Sequence, residues 1–484
     1  MEGLEEMKKL LEECDQSHIL KFWNELNEAQ QKSFLGRLRT IDFKRALEMW
    51  QKAQQDSSAP EKLTTDDLAP INVQVERSLP HSTIEQYRNI GLEEISKGSV
   101  AVIVLAGGQG TRLGMPYPKG MCPTGIPSGK TLFQIQAQRI QRLMELAKER
   151  TGEKGVIHWY LMTSQATHLL TEKYLQQNKF FDLNKENVTL FKQCLVPIFD
   201  LEGKIMLEER DDVALAPDGN GGIYRALHEN GLLEEMEKKG IKYVHVHSVD
   251  NILIKVADPV FLGKCIQDQV DCGLKVIQKI EPTEPLGLVV KLRDQVQVVE
   301  YSELPYATAS LKSPDNEQEL LFNAGNICNH FFTVEFLKRV AIHHENDLKI
   351  HVAKKICIAL GPDGDKMRPP LTPNCIKLEK FIFDAVSFSK NLMVWQVDRN
   401  QEFSPVKNSD FASQDNFVTA KRDLLALHKT WVENMGGKCQ GDGVEVSPLL
   451  SYDGEGLSKV KGKEYMNEEV ILSEIEEKQQ ERWG

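Results

Sequence analysis

The chain has 484 residues, of which 41% are hydrophobic, and its formal net charge at pH 7 is −12. This length exceeds the size at which a single hydrophobic core stops growing, so we expect more than one domain. The negative charge argues against a broad surface for nucleic acid or for an anionic membrane. Any binding of phosphate groups must therefore be local.

The chain begins with an acidic, amphipathic segment and has no apolar run of about 18 residues, so neither a signal peptide nor a membrane span is predicted. The nine cysteines are an odd number and include no CxxC pair. Such a set is typical of reduced thiols in a cytoplasmic protein. We therefore expect a cytoplasmic location, with nearly all cysteines serving as small buried apolar side chains.

Helical periodicity dominates the first part of the chain. Apolar residues from Leu4 to Leu47 recur at largely helical spacings. The segment Asp56–Pro70 is rich in Ser, Asp, Thr and Pro and has little periodicity, so we interpret it as a connection. One more helix is predicted at Ser82–Lys97. Residues 1–98 are thus predicted to form a mainly helical N-terminal domain.

From Ser99 onwards, short apolar runs alternate with helical stretches, as in VAVIVLA followed by TLFQIQAQRIQRLMELAKER. Such runs are typical of strands buried on both faces of a parallel sheet, and the fold class is α/β. Closer spacing of the later strands indicates inserted antiparallel pairing; these strands are Tyr243–Val249, Leu274–Gln278, Gly287–Lys291 and Val296–Tyr301. We expect a central domain at 99–407 and a small, β-rich C-terminal domain at 408–484.

The strongest functional motif follows the first of these strands. Leu105 and Ala106 lead into a loop with four glycines, whose missing Cβ atoms let backbone N–H groups approach an anion closely. The glycines are Gly107, Gly108, Gly110 and Gly114. Arg112 adds a fork for phosphate oxygens, and Lys119 adds a point charge. The segment Leu105–Lys119 therefore predicts a phosphate-binding site.

Two common glycine motifs do not fit this loop. The dinucleotide pattern G-x-G-x-x-G fails because the glycine after Gly108-Gln-Gly110 comes one residue late, at Gly114. The P-loop pattern fails because Gly129-Lys130-Thr131 would need a glycine where Thr124 stands. An ordinary strand-to-helix turn explains one or two glycines, but not four with an arginine and a lysine between them.

The segment LAGGQGTRLG followed by PKG is similar to the signature of nucleotide-sugar pyrophosphorylases, specifically the eukaryotic UDP-N-acetylglucosamine (UDP-N-acetylhexosamine) pyrophosphorylases. The resemblance covers most of the chain and continues in family order through APDGNGG (216–222), VDN (249–251), EPTEPLG (281–287), VVEYSE (298–303), FNAGN (322–326), IKLEKFIFD (376–384) and FSPVKN (403–408). It implies a Rossmann-like mixed-sheet nucleotidyltransferase core of the nucleotide-diphospho-sugar transferase type. A helical N-terminal lobe and a small β-rich C-terminal lobe would flank this core.

The nucleotide-binding residues that follow from the loop and the resemblance are Leu105, Ala106, Gly107, Gly108, Gln193, Gly219 and Asp250. The resemblance implies that Gly219 contacts uracil and that the amide of Gln193 reads the edge of the base. Asp250 ends an apolar strand, where open α/β sheets place ligands, and a carboxylate facing a triphosphate is the natural ligand of Mg²⁺ (or Mn²⁺). An isolated aspartate at a strand end is more often a helix cap, but beside this loop we interpret Asp250 as the metal ligand. His245 and His247 lack the further ligands of a zinc site.

An N-acetylhexose offers hydroxyls, an amide and a methyl group, so its pocket needs a carboxylate, amides and aromatic walls. The residues assigned to the sugar 1-phosphate are Asn220, Gly287, Glu300, Tyr301, Asn323, Asn326, Lys377, Phe381 and Phe383. Asn323 rests on its chemistry and not on the resemblance. Phe381 and Phe383 also fit half of an ordinary strand, because they alternate.

Arg112, Lys119 and Lys407 are predicted to be catalytic. The resemblance implies that Lys407 lies at the bridging phosphates and Lys377 at the sugar phosphate; a surface lysine is the alternative for both. The implied reaction joins UTP to N-acetyl-α-D-glucosamine 1-phosphate, with the galactosamine epimer as a second candidate, and releases diphosphate. The attacking oxygen is already an anion, so positioning and charge stabilisation replace a general base.

Two alternatives stay open from the sequence. One is a UDP-glucose-type pyrophosphorylase, which would share the loop and the metal ligand. The other is a catalytically silent UDP-sugar-binding protein on the same fold. In each case we expect small-molecule partners, neither nucleic acid nor a membrane, and a monomer or a homodimer.

Overall fold

The structure, a computed structural model, describes residues 3–58, 65–361, 363–366, 368–474 and 476–478. The chain divides into two compact units, each assembled from three separate segments. The first unit consists of Met1–Lys62, Gln193–Ala226 and His344–Asp384; the second consists of Leu63–Lys192, Leu227–His343 and Ala385–Gly484. The two units therefore alternate along the chain.

The α-helices are α1 (Leu4–Glu13), α2 (Glu28–Leu38), α3 (Phe43–Ser58), α4 (His81–Ser96), α5 (Leu132–Thr151), α6 (His168–Gln177), α7 (Ile223–Glu229), α8 (Leu232–Lys238), α9 (Pro259–Gln267), α10 (Tyr306–Ala309), α11 (Val334–Arg339), α12 (Arg399–Glu402) and α13 (Phe417–Asn434). Within the described residues, none of the helices combines the length and the apolar composition needed to cross a membrane.

The strands are β1 (Leu68–Pro70), β2 (Gln74–Val75), β3 (Val100–Leu105), β4 (Ile157–Thr163), β5 (Val188–Lys192), β6 (Leu195–Pro197), β7 (Leu207–Glu209), β8 (Asp212–Val213), β9 (Leu215–Pro217), β10 (Tyr243–Ser248), β11 (Cys272–Gln278), β12 (Leu288–Leu292), β13 (Gln295–Val299), β14 (Ala324–Thr333), β15 (His351–Lys355), β16 (Cys375–Glu379), β17 (Leu392–Val397), β18 (Lys438–Cys439), β19 (Glu445–Val446), β20 (Glu464–Tyr465) and β21 (Val470–Ile471).

The second unit is built around a mixed sheet in the order β2-β17-β11-β14-β10-β3-β4-β5. The neighbours from β10 through β3 and β4 to β5 run parallel, and β17 runs parallel to β11. β3 and β4 are buried at every position, as their largely apolar runs predict for strands covered on both faces. The predicted α/β class with a mixed-sheet core is confirmed.

Helices α4, α5 and α9 contribute to the main hydrophobic core of this unit together with the sheet. Phe133 of α5 packs edge-on against Trp159 of β4, with ring centroids 6.1 Å apart. α5 begins where the Thr131 hydroxyl accepts a hydrogen bond from the Gln134 N–H, and it ends at Gly152 with φ of 85°. These caps hold the helix that follows the predicted phosphate loop.

The antiparallel insertion predicted for the later strands is present. β14 pairs antiparallel with both β10 and β11, and β12 pairs antiparallel with β13. The register shifts inside β14: Leu274 and Val276 of β11 oppose His330 and Asn326, so β14 carries extra residues there. Such a bulge redirects the side chains of a strand, and it lies beside the candidate site described below.

In the first unit, helices α1 to α3 share one apolar core with short strands. Leu11, Phe34 and Phe43 of the helices pack in a cluster with Phe199, which follows β6, and with Leu378 of β16. α2 begins with a capping box, because Asn27 and Gln30 exchange side-chain-to-backbone hydrogen bonds. The N-terminal helices are thus part of a core that residues from all three segments of this unit complete.

Two segments with predicted structures lie between the N-terminal helices and β3, namely Asp56–Pro70 and Ser82–Lys97. The predicted connection Asp56–Pro70 is wrong at both ends, because α3 continues to Ser58 and Leu68–Pro70 forms the short strand β1 against β12; residues 59–64 lie outside the described residues. A short edge strand can contain proline, because its outer backbone positions need not pair. The proline in this segment had therefore suggested a loop where a strand forms. The helix prediction at Ser82–Lys97 is confirmed by α4.

The C-terminal segment contains the 18-residue helix α13, which the sequence analysis did not predict. Its strands are two-residue pairs, β18 with β20 and β19 with β21, both parallel. The loops between these strands are rich in glycine and aspartate, and this composition drew attention away from the preceding helix. The helical spacing of its apolar residues Phe417, Ala420 and Leu424 was therefore missed. The division into domains 1–98, 99–407 and 408–484 stays a prediction.

The expectation that all cysteines are reduced thiols is wrong for one pair. Cys357 and Cys375 form a disulfide, with Cα atoms 6.0 Å apart. The antiparallel pairing of β15 with β16 places Lys355 opposite Cys375 and so brings the two sulfurs together. A separation of 18 residues in the sequence does not reveal such proximity, because it depends on the strand register.

Candidate active site

The predicted phosphate loop leaves the carboxyl end of β3. β3 and β10 are parallel neighbours with Leu105 opposite Ser248, so the loop and Asp250 leave the same edge of the sheet. The Ala106 N–H donates to the Met162 carbonyl of β4 at 2.8 Å, which fixes the start of the loop. This edge is where open α/β sheets bind their ligands.

Inside the loop the chain folds back on itself. The Gly110 N–H donates to the Tyr117 carbonyl at 3.2 Å, and the Lys119 N–H donates to the Gly108 carbonyl at 3.4 Å. A Cβ atom on Gly110 would lie 2.8 Å from the Tyr117 oxygen, so this close approach requires glycine. A Cβ atom on Gly108 would meet nothing within 4 Å, and this exposed stretch of backbone is open to a ligand.

Asp250 is the charged centre of this edge. Its Oδ2 atom lies 3.1 Å from Lys119 Nζ, and its Oδ1 atom accepts a hydrogen bond from the Ser248 hydroxyl at 2.8 Å. Burial acts to raise the pKa of Asp250, but Lys119 and Lys407 outweigh it and hold the pKa below its ordinary value. The carboxylate is therefore ionised at neutral pH, in the field of two lysines.

The segment that carries Lys407 is held against the strand end by hydrogen bonds. The Val406 N–H donates to the Asp250 carbonyl at 2.9 Å, and the Ser404 N–H donates to Asn251 Oδ1 at 2.9 Å. Asn251 is part of the VDN motif, but the sequence analysis gave it no role. Its side chain thus joins the two segments that bear Asp250 and Lys407, together with the backbone hydrogen bond between Val406 and Asp250.

Arg112 is not joined to this group. It lies in the 3₁₀ turn Thr111–Leu113 with an exposed side chain, and within the described residues it makes no hydrogen bond or ion pair. The structure thus brings Lys119, Asp250 and Lys407 together but leaves Arg112 apart. A catalytic role for Arg112 stays a prediction.

Part of the predicted sugar site lies at the same edge. The Asn326 N–H donates to the Gly287 carbonyl at 2.8 Å, and a Cβ atom on Gly287 would lie 3.3 Å from Glu300 Oε1. Tyr301 is 50% exposed, and Asn323 immediately precedes β14. Gly287, Glu300 and Asn326 therefore form a compact group, whereas the ring of Tyr301 projects into solvent.

Cys328, which the sequence analysis did not assign to the site, lies beside it in the bulge of β14. Its φ of 52° is left-handed, which is uncommon for a residue other than glycine. Burial raises the pKa of the Cys328 thiol to about 12, with a further contribution from the Asp250 carboxylate against the opposing effect of Lys407. The thiol is neutral and close to the charged centre. A left-handed bulge residue has no signature in a single sequence.

The other predicted residues belong to the first unit. Gln193 is half-buried directly after β5. Gly219 has φ of 85°, and a Cβ atom there would lie 2.3 Å from the Lys380 carbonyl, so the position requires glycine. Asn220 Oδ1 accepts a hydrogen bond from the Ile382 N–H at 3.0 Å. The loop at residues 218–222 is thereby fixed against the chain that follows β16.

Phe381 and Phe383 do not belong to a strand. Phe381 precedes the 3₁₀ turn Ile382–Phe388 and Phe383 lies within it, and their ring centroids are 5.2 Å apart. The Phe381 ring also lies 4.1 Å from the His351 ring, while Phe383 is buried. Lys377 is half-buried on β16. A strand for FIF is thus excluded, and aromatic walls remain the prediction.

A separate group of carboxylates in the second unit consists of Glu76, Asp258 and Glu402, whose oxygens lie within 4.8 Å of one another. Lys275 Nζ lies 2.5 Å from Asp258 Oδ2 and 2.6 Å from Glu402 Oε2. The ammonium group of Lys275 balances two of these carboxylates, and Lys255 Nζ lies 3.9 Å from Glu402 Oε1. Asp250, the predicted metal ligand, is not a member of this group.

The core is a mixed α/β sheet whose carboxyl edge carries a glycine loop, an ionised aspartate and two lysines. This combination places the protein in the class of α/β nucleotidyltransferases. The family model described as UTP–glucose-1-phosphate uridylyltransferase matches residues 43–438. The chain belongs to this family, and the resemblance found in the sequence is confirmed.

The chain is similar to named relatives over nearly its whole length. It is 42% identical to UDP-N-acetylhexosamine pyrophosphorylase-like protein 1 of Xenopus tropicalis, over 98% of this chain and 96% of the relative. It is 40% identical to UDP-N-acetylglucosamine pyrophosphorylase of Saccharomyces cerevisiae, over 96% and 99%. A crystal structure of the uridine diphosphate N-acetylglucosamine pyrophosphorylase from Trypanosoma brucei in complex with inhibitor superposes with a TM-score of 0.83 at 29% identity, covering 95% of each chain.

Proposed function

We propose that the protein transfers the uridylyl group of UTP to N-acetyl-α-D-glucosamine 1-phosphate and releases diphosphate. The observation that carries this proposal is the group of Lys119, Asp250 and Lys407 beside the open glycine loop. Exposed backbone N–H groups, an ionised carboxylate and two lysines are what a triphosphate with a divalent cation needs. The names of the relatives at 40% and 42% identity support the N-acetylated sugar.

In the proposed reaction, an oxygen of the sugar 1-phosphate attacks the α-phosphorus of UTP in line. The new P–O bond forms as the bond to the departing diphosphate breaks, so no covalent enzyme intermediate arises. The attacking oxygen is an anion at pH 7 and needs no base. Lys119 and Lys407 would stabilise the charge on the transferred group, and the loop from Leu105 to Gly108 would orient the phosphates.

Asp250 fits a divalent metal ion, Mg²⁺ or Mn²⁺. Its carboxylate is ionised, is a hard oxygen donor, and lies at the ligand-binding edge of the sheet. Each of its oxygens already has one partner but has a second lone pair to offer. When bound there, the metal would polarise phosphate oxygens and neutralise their charge. Lys119 and Ser248 would hold the carboxylate in its orientation.

The binding roles predicted from the sequence become part of the proposal. Gln193 and Gly219 would contact uracil. The sugar 1-phosphate would be bound by Asn220, Gly287, Glu300, Tyr301, Asn323, Asn326, Lys377, Phe381 and Phe383. Support comes from the contact of Gly287 with Asn326 and Glu300, and from the fixed position of the 218–222 loop.

We also propose a cytoplasmic location, which the free thiols favour and the single disulfide does not.

The experiment that tests the proposal measures diphosphate release from UTP with three sugar phosphates: the N-acetylglucosamine, N-acetylgalactosamine and glucose 1-phosphates. We expect kcat/KM for the N-acetylglucosamine compound to exceed that for glucose 1-phosphate by at least about tenfold, because polar groups built for the acetamido group would be left unpaired. Equal values would favour a UDP-glucose-type enzyme. Tight UDP-sugar binding without diphosphate release would identify a silent binding protein.

A further inference from the structure

A buried cluster of charges lies in the first unit, and it includes a residue of the N-terminal helices. Arg45 of α3 places Nη2 2.6 Å from Glu345 Oε1, and both side chains are nearly buried, at 13% and 11% exposed. Lys380 Nζ lies 2.6 Å from the same oxygen and donates to the Glu345 carbonyl at 2.7 Å. Glu345 therefore joins Arg45 to Lys380 through one carboxylate oxygen.

Asp218 is the fourth member of this cluster. It is fully buried, and neither carboxylate oxygen has a hydrogen-bond partner among the described residues. Arg45 and Lys380 attract its negative charge and Glu345 repels it. Arg225 adds a further positive charge near Glu345, and Arg45 is one of the cations that favour the ionised form of Asp218 against its burial.

The same cluster sets the backbone of the adjacent loop. The Lys380 N–H donates to the Asp218 carbonyl at 2.8 Å, and the Gly221 N–H donates to the Lys380 carbonyl at 2.8 Å. A Cβ atom on Gly222 would lie 2.0 Å from Asp218 Oδ1, so the loop closes directly over the buried carboxylate. A displacement of Lys380 or Asp218 would therefore move residues 219–222.

We propose that Arg45 is a positioning residue for the uridine-contacting loop at residues 219–222, and that it acts through Glu345, Lys380 and Asp218. The inference rests on the proposed function, because that function assigns Gly219 of this loop to uracil. It gives the N-terminal helices a specific role, since α3 supplies the charge that keeps the loop in its binding conformation. Arg45 itself touches no substrate.

The test measures the Kd of UTP by titration calorimetry in the presence of Mg²⁺, and then KM for UTP and kcat. Arg45→Met keeps the aliphatic stem and removes the charge, which leaves the buried Glu345 carboxylate without one of its two direct ionic partners. We expect Kd and KM for UTP to rise about tenfold, as for an unpaired buried charge, with kcat within about twofold of wild type. Arg45→Lys keeps the charge, should give an intermediate value, and serves as the second variant if Arg45→Met does not fold.

The matched control is Arg37→Met, which removes an arginine from the neighbouring helix α2 of the same unit. Arg37 pairs with Asp211 and Asp212 and not with the buried cluster. We expect it to leave the Kd of UTP unchanged. If Arg45→Met and Arg37→Met bind UTP equally well, or if Arg45→Met lowers kcat alone, the positioning role is overturned.

A double variant separates charge from packing. Glu345→Gln combined with Arg45→Met removes both partners of the 2.6 Å ion pair, so UTP should bind more tightly than to Arg45→Met alone; additive losses would contradict the role of charge. Binding also separates this inference from the proposed function. If the wild-type protein binds UTP but releases no diphosphate, the proposed function is overturned, and the comparison of UTP binding between variants still decides the role of Arg45. If the wild-type protein does not bind UTP, both the function and the inference are overturned.

Discussion

The carboxylate of Asp250 owes its charge to its neighbours. Buried alone, it would favour the protonated form, but Lys119 at 3.1 Å and the nearby Lys407 reverse that preference. The opposite occurs at Asp218, where burial raises the pKa to about 7 because Arg45 and Lys380 do not compensate for the loss of water. Two aspartates of this chain thus differ in protonation through their surroundings alone.

Removal of the charged pair at the sheet edge should slow the reaction. We expect Asp250→Asn and Lys119→Ala each to lower kcat more than about tenfold, which corresponds to about 1.4 kcal/mol of barrier. The reason is the loss of charge stabilisation on the transferred group. A diphosphate-release assay measures it, with Lys173→Ala on the exposed face of α6 as the control. Near-normal rates in either variant would refute the assigned role.

Asp218 should make stability depend on pH. Its pKa is raised from 3.8 to about 7 in the folded state, so between these values the folded protein retains a proton that the unfolded chain has released. The contribution of Asp218 to the free energy of unfolding is therefore fully present below about pH 4. It is lost as the pH rises through 7, and the whole change is roughly 4 kcal/mol.

Asp218→Asn removes this titration. Urea unfolding at pH 5, 6, 7 and 8 should show the free energy of unfolding of the variant improving relative to wild type as pH rises. Parallel pH curves for the two proteins would contradict the raised pKa.

At the scale of elements, the edge of the sheet is held together by buried ion pairs. Lys275 of β11 is fully buried and bridges Asp258, which caps α9, and Glu402, which ends α12. The Glu402 carbonyl in turn accepts a hydrogen bond from Asn251 Nδ2 at 2.6 Å. Three elements that surround the candidate site thus share one ammonium group.

Loss of that ammonium group should destabilise the second unit. Lys275→Met leaves two buried carboxylates without their common partner, and we expect a loss of about 3 kcal/mol in the free energy of unfolding. Lys291→Met on β12 is the matched control, since its ion pair with Asp294 is exposed and should contribute less than about 1 kcal/mol. Urea denaturation measures both; equal losses would show that the buried bridge has no special role.

At the scale of the whole molecule, the compact units do not follow the order of the chain. The core of the first unit combines residues of α1 to α3 with Val196, Phe199, Ile205 and Leu378, which are distant in sequence. The loop at residues 218–222 belongs to this unit, whereas the phosphate loop belongs to the other. A boundary placed at one point in the sequence therefore cuts through a shared core.

A truncated chain that begins at residue 99 should fail to fold properly. It lacks the helical half of the first unit's core, so apolar strand residues would be exposed to water. We expect low solubility and binding of a hydrophobic dye, with partial recovery when residues 1–98 are co-expressed as a second fragment. A soluble, cooperatively unfolding 99–484 fragment would instead support the predicted N-terminal domain as an independent unit.

The fold class and half of the candidate site were accessible from the sequence. Nearly continuous apolar runs identified β3 and β4, because strands covered on both faces have few polar positions. The glycines and the lysine of the loop predicted anion binding, because backbone approach and charge are properties of residue type. Asp250 was predicted from its place after a strand.

The residues that support the site required the tertiary structure. Asn251, Cys328 and the cluster around Asp218 depend on which segments meet, and so does the disulfide between Cys357 and Cys375. Hydrogen-bond partners, left-handed bulges and shifted pKa values arise from neighbours that are distant in sequence. The amino-acid sequence by itself determined the chemistry that the chain carries and the strands that carry it. Only the tertiary structure decided which charges are paired, which are buried, and which helices hold the loops in place.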